Sequence, residues 1–233
     1  MTLPPAPRSD LVTLFTAPLS MFGMNVEIAL REKGISFERV SVPYDAVAGY
    51  APKHPQVVRA NPKQQVPVLV NGSVSLFDST QIFEYLEDAW PALPLWPQDV
   101  GDRARCRKLE LLADEVYFTH IIKLMSLQTD WAGNAAKTAI AAAQAFYLRM
   151  ESTLRGRQFL CGEFSFADIG FFMAQLFGER MGAPMSSSTP QLLEWRHRIA
   201  SRASVGATLR PMVAFLREAN RPAPDYIVAP ASA

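Results

Sequence analysis

A chain of 233 residues with 49% hydrophobic content has ample material for a buried core, as one large domain or two small ones. Its formal net charge of +1 argues against nucleic acid or an acidic membrane surface as a partner. The cysteines Cys106 and Cys161 and the histidines His54, His120 and His197 show neither Cys-x-x-Cys nor metal-ligand spacing, so no metal is expected. Cysteines so far apart read as small core fillers, and a reduced, cytoplasmic setting follows.

In chain order, Met1 to Arg8 is Pro-rich, lacks an apolar signal core and reads as a loose tail. Leu11 to Phe15 has the composition of a buried strand, Thr16 to Ser20 of a turn, and Phe22 to Lys33 of an amphipathic helix stopped by Gly34. Ser20 stands where a helix N-cap is expected. Phe37 to Val42 alternates as a second strand, and a β-α-β unit this short implies a parallel pair. Pro43 to Ala60 has no clean periodicity and reads as loop with a short helix.

Asn61-Pro62-Lys63-Gln64-Gln65-Val66-Pro67-Val68-Leu69-Val70 and Val74 to Phe77 then read as two strands joined at Asn71-Gly72, a strong hairpin signal. Pro67 is the anomaly, since proline removes a ladder donor. Either this is an edge strand, or Pro67 stands at the strand's entry, cis, and leaves the Val66 backbone free to receive a peptide as though it were another strand. Asp78-Ser79 leads into a helix over Thr80 to Asp88. A helix N-terminus with a hydroxyl suits a carboxylate, and the adjacent Asp suits an ammonium group. The whole makes a small α/β domain with a mixed sheet.

Residues 89–98 are Pro- and Trp-rich and read as a linker. No strand pattern follows. Helical patterns run over Asp102 to Gln128, Ala135 to Leu154, Ile169 to Phe177, Pro190 to Ala200 and Val205 to Ala219. Ser165-x-x-Asp168 has the form of a capping box ahead of a helix apolar all round, hence central to an all-helical domain. Phe164 to Phe177 carries Asp168 and is too short to span a bilayer. Residues 221–233 read as an irregular tail.

The Asn-Pro-x-x-x-Val-Pro-x-Leu run at Asn61 to Leu69, the pair Asp78-Ser79 and the Ser165 to Asp168 box, in this order, resemble the cytosolic glutathione S-transferases along Leu11 to Ala219. The resemblance implies a thioredoxin-like glutathione-binding domain, a mixed four-stranded sheet with helices, over residues 10–88. It implies an all-helical domain over 99–220 that completes a pocket for the electrophile. In that family Pro67 would be the cis-proline, Val66 the residue whose backbone pairs with the cysteinyl part of glutathione, and Asp78 and Ser79 the holders of its γ-glutamyl group. Gln65 would face the glycyl carboxylate, with Lys53 and His54 near a second contact.

Ser20 would activate the thiol, as in the theta-like and zeta-like classes. There is neither tyrosine nor cysteine between Leu11 and Val26, and the Ser-Ser-Cys-x-x-Arg signature of zeta isomerases is missing. Tyr117, Phe118, His120, Met125 and Trp131 suit an uncharged electrophile, but read more readily as core. The expectation is therefore a cytoplasmic, homodimeric detoxification enzyme with glutathione as co-substrate, attacking a hydrophobic electrophile without a metal. The alternative is a non-catalytic binding or assembly module built on the same fold.

Overall fold

Val12–Thr16 (β1), Phe37–Ser41 (β2), Val68–Asn71 (β3) and Val74–Phe77 (β4) form one four-stranded sheet in the order β2-β1-β3-β4. β1 runs parallel to β2 and antiparallel to β3, and β3 antiparallel to β4. The structure is a computed structural model and describes residues 11–44 and 49–228; the tail expected over Met1 to Arg8 lies outside them. The chain divides into two compact units with the break between Leu93 and Pro94.

In the first unit, the helices are α1 (Met21–Glu32), α2 (Pro55–Ala60) and α3 (Ser79–Ala89). The thioredoxin-like sheet expected from the resemblance is present. Register and side-chain alternation place Val40, Phe15, Val68 and Phe77 in one row across all four strands. That row packs with Val57 of α2, Ala17, Val42 and Val66 into a single cluster. β3 is an interior strand, so Pro67 is not an edge proline. It stands just ahead of β3, and the Val66-Pro67 bond is cis. The hairpin turn differs from expectation by one residue: Asn71 is the last ladder residue, and Gly72-Ser73 makes the turn with Gly72 at φ +59°. Asn71 is held in the strand because its Nδ2 donates to Leu11 O (3.2 Å) and its Oδ1 accepts from the Tyr85 hydroxyl (2.9 Å).

A buried charge network joins α1 to β2. Glu27, fully buried, accepts from Arg31 Nη2 (2.7 Å) and Arg39 Nε (2.9 Å), and Arg31 also lies over the Phe37 ring. Both guanidiniums keep some solvent, which limits what the network contributes. Glu27→Gln, which removes the charge but not the volume, is expected to cost about 1–3 kcal/mol in urea unfolding. An unchanged midpoint and slope would show that the network contributes nothing.

The second unit is helical among the described residues: α4 (Val100–Leu111), α5 (Phe118–Ser126), α6 (Asn134–Thr153), α7 (Phe166–Arg180), α8 (Pro190–Ala200), α9 (Ala203–Glu218) and the single turn α10 (Asp225–Val228). The last falls in the stretch expected to be irregular. The long helix expected from Asp102 is interrupted by a π-helical segment, Leu112–Tyr117, between α4 and α5. α7 is buried from Phe166 to Gly178 without a break, as its all-round apolar sequence requires. The capping box at its start is complete. Asp168 accepts from the Ser165 N–H (3.0 Å) and hydroxyl (2.8 Å), and also from Leu160 N–H (2.9 Å) and Trp195 Nε1 (2.8 Å). No helix among the described residues is long and apolar enough to cross a membrane.

The cysteines require a correction. Cys106 on α4 and Cys161 ahead of α7 are 5.7 Å apart at Cα and joined by a disulfide, so they are not independent core fillers. Their separation of 55 residues hid the pairing, which exists because α4 packs along α7. The inference of a reduced compartment from cysteine usage loses its basis with it.

Candidate functional site

The turn from Thr16 to Ser20 ends β1 and begins α1. Ser20 is only 3% exposed and caps α1: Gly23 N–H donates to Ser20 Oγ at 3.0 Å. A Cβ at Gly23 would collide with Thr16 Oγ1 and crowd Ser20 Oγ, so glycine is what lets these two hydroxyls gather at the helix start. Thr16 is fully buried, and its Oγ1 has no hydrogen-bond partner among the described residues.

Asn61 shapes the approach to β3. Its Nδ2 donates to Gln65 O (2.7 Å), its Oδ1 accepts from Lys63 N–H (2.9 Å), and its carbonyl accepts from Gln64 N–H (2.8 Å). These bonds hold Gln64 at φ +52°, a conformation uncommon outside glycine and asparagine. The chain then delivers Val66, 6% exposed, and Pro67 to the sheet. The Val66 N–H and C=O make no hydrogen bond to another described residue. Lys53 Nζ donates to Gln64 O at 3.2 Å, which brings Lys53 beside the exposed Gln65. His54 caps α2, its Nδ1 accepting from Gln56 N–H (3.2 Å), and its ring lies 4.8 Å from Phe15. That leaves Nε2 for another partner.

Asp78 caps α3, its Oδ1 accepting from Gln81 N–H (3.2 Å). Its backbone sits at φ +74°, ψ +126°, a costly conformation for a residue with a Cβ. Ser79 follows as the first residue of α3 and is 4% exposed. A strained, exposed carboxylate at the start of a helix can hold an ammonium group, and the positive end of the helix dipole favours a carboxylate beside it.

The aromatic residues proposed for the electrophile are placed differently. Tyr117 is fully buried; its hydroxyl bonds that of Tyr147, and its ring packs against Phe146, Tyr147 and Phe171. Phe118 is 6% exposed and meets Phe177. Within the helical unit these two are core. His120 is half-buried. No group of three or more His, Cys, Asp or Glu side chains among the described residues is placed to hold a metal ion.

Residues 14–94 match the family model described as Glutathione S-transferase, N-terminal domain. Glutathione S-transferase U3 of Arabidopsis thaliana is 30% identical over 200 residues, covering 82% of this chain and 84% of that protein. The chain belongs to the glutathione S-transferase family. Two other relatives are matched over only about half of their own length. Glutathione S-transferase 1 of Dianthus caryophyllus is 41% identical over 42% of each chain. A stringent starvation protein A homolog of Coxiella burnetii is 33% identical over 51% of this chain and 53% of its own. Among solved structures, rice GST1 in complex with glutathione has the same fold, with a TM-score of 0.75 at 24% identity, covering 90% of this chain and 94% of that one.

Glutathione S-transferase motifs read from the sequence do not include Tyr50, which the structure brings to the start of α1. Burial is the main cause of a pKa raised above the usual tyrosine value, with the Ser20 side chain opposing the rise. Its ring packs on the cluster that contains Ala17 and Val66. Nothing in the aperiodic stretch from Pro43 to Ala60 signals this return.

Proposed function

We propose that the chain is a serine-type glutathione transferase that binds glutathione on its first unit and activates the thiol for attack on a hydrophobic electrophile. The observation that carries this reading is the pair of backbone groups on Val66, unbonded among the described residues and beside cis Pro67, ready to take a peptide as an added strand. Val66 would pair with the cysteinyl backbone, Asp78 and Ser79 would hold the γ-glutamyl end, and Gln65, Lys53 and His54 would face the glycyl carboxylate. The serine-type reading rests on Ser20 rather than on a class, because the relatives that carry the family match are plant transferases of the U series. Ser20 is the hydroxyl at the helix start, and a thiol there must lose about two pKa units to react at neutral pH. The protein would act as a two-fold dimer.

Retention on immobilised glutathione, followed by calorimetric titration, tests the reading. Asp78→Asn preserves an N-cap and a residue tolerant of positive φ while removing the charge. It is expected to weaken glutathione by about 1–3 kcal/mol, as is Ser79→Ala, with little change in melting temperature. Equal affinities across wild type and both variants would place the ligand elsewhere.

A second reading, a binding module without turnover, is favoured by the Coxiella burnetii relative, a stringent starvation protein A homolog. Glutathione binding with no conjugation of any electrophile would select it.

A further inference from the structure

The disulfide of the helical unit lies in a cavity wall. Cys106 is fully buried and Cys161 half-buried, and both line a cavity of about 240 Å³ between α4, the end of α6 and the chain leading to α7. Arg105, Lys108, Arg149 and Arg157 line it too, against the single carboxylate of Asp102, which Arg105 already engages. Lys108, Arg149 and Arg157 form no ion pair among the described residues. We propose that the Cys106–Cys161 disulfide is a redox site of the helical unit, opened at Cys161 by a small anionic thiol that enters through this basic cavity. Until it is opened, the chain holds no free cysteine.

The chemistry is thiol–disulfide exchange. The thiolate sulfur bonds to Cys161 Sγ, the Sγ–Sγ bond breaks, and its electron pair leaves on Cys106 Sγ, which takes a proton from water. A second thiolate attacks the outer sulfur of the mixed disulfide, releasing the oxidised dimer of the thiol and a thiolate at Cys161. Two thiols are oxidised and one disulfide is reduced. Exposure decides that Cys161 is the sulfur attacked. Cys106 is suited to leave, because its Sγ lies 3.3 Å from Ser165 Oγ, a hydroxyl that can turn to donate to a thiolate. With the bond closed that hydroxyl donates to Asp168 Oδ2 at 2.8 Å, so opening the disulfide reaches the cap of α7. The cations set the reagent. Three positive charges without carboxylate partners attract an anionic thiol and stabilise the negative charge carried through the exchange. Cys161 also lines a second cavity of about 340 Å³, where Asp99, Asp102 and Glu163 supply carboxylates and no cation faces them. That cavity repels an anion, so the charge preference of the reaction identifies the route.

The test follows reduction of the folded wild-type protein by mercaptopropionate, mercaptoethanol and cysteamine, which are anionic, neutral and cationic. Each rate is taken per thiolate and divided by the rate at which the same thiol reduces hydroxyethyl disulfide, an uncharged reference. The anionic thiol is expected to be fastest and the cationic one slowest, with a span of about tenfold at low ionic strength. In about 0.5 M salt the span should contract to about twofold. The double variant Arg149→Gln with Arg157→Gln changes two exposed side chains and should lose most of the preference at an unchanged melting temperature. Cys106→Ser, treated with the disulfide of mercaptopropionate, should gain one mercaptopropionate per chain, mapped to Cys161. A reaction indifferent to charge, or a preference kept in full by the double variant, would overturn the role of the basic cavity. A cationic preference would place entry at the second cavity and overturn it equally. Reduction no faster than global unfolding would make the bond purely structural and sink the proposal. None of these readouts involves Ser20 or turnover, so this inference and the proposed function fail separately.

Discussion

Replacing Asp168 by alanine is expected to destabilise the helical unit by about 3–5 kcal/mol, the largest stability effect of any single substitution considered for this fold. The side chain is fully buried and is the common acceptor for Leu160 N–H, Ser165 N–H, the Ser165 hydroxyl and Trp195 Nε1. Alanine would strand all four donors in a water-excluded site, where each unsatisfied group costs about 1–3 kcal/mol. The effects would not add fully, because the site can relax and admit water. Asp168 also gives the unit a pH signature. Burial raises its pKa to about 6, against the lowering effect of the bonds from Leu160, Trp195 and Ser165.

The folded value lies above the unfolded value of about 3.9, so the native state keeps a proton that the unfolded chain has lost. The resulting stabilisation is fully present below about pH 4 and is lost as pH rises through about 6. Protonation is tolerated because a hydrogen on Oδ2 can be donated to Ser165 Oγ once that hydroxyl turns. Asp168→Asn, which cannot titrate, should therefore lie further below wild type at pH 4.5 than at pH 7.5 in urea midpoints. An Asn variant within about 1 kcal/mol of wild type, with the same gap at both pH values, would mean that the network is incidental.

Ser20→Ala is expected to raise the pKa of bound glutathione by about one to two units, by removing a donor to the thiolate worth about 1.5–3 kcal/mol. Turnover at pH 6.5 should fall by about tenfold to a hundredfold, and the loss should shrink above the free thiol pKa of about 8.5, where thiolate forms unaided. The variant also loses its helix cap, since Gly23 N–H would have no acceptor, so a stability loss of about 1 kcal/mol should accompany it. The two effects separate cleanly: the cap changes the unfolding midpoint, and the thiol pKa changes the shape of the pH profile. A profile of unchanged shape would remove Ser20 from the chemistry.

Features encoded within a few residues were legible in the sequence. The Ser165 to Asp168 box, Pro67 at the strand's entry and the cap at Ser20 each follow from the chemistry of one or two neighbouring side chains. What escaped depended on contacts made at a distance along the chain. Asn71-Gly72 reads as the turn, yet Tyr85, 14 residues on, bonds Asn71 into the ladder and moves the turn forward by one residue. The π-helical segment Leu112–Tyr117 looks like ordinary helix by periodicity, because one extra residue in a turn barely disturbs the apolar pattern. For Tyr117 the sequence favours core over a pocket wall without deciding it, and the bond from its hydroxyl to that of Tyr147 seats it in the core. Tyr50 returns through a loop without pattern to pack on the cluster that contains Phe15, Ala17 and Val66, which no local rule anticipates.

The bond between Cys106 and Cys161 leaves the chain with no free thiol at all. An enzyme that handles electrophiles risks being alkylated by them, and a cysteine near the reacting groups would be the first casualty. Here both sulfurs are already spent on each other, so the reactive sulfur would be one that arrives with the ligand and leaves with the product. The polypeptide would be spared at its most reactive side chain because no thiol of its own is left to attack.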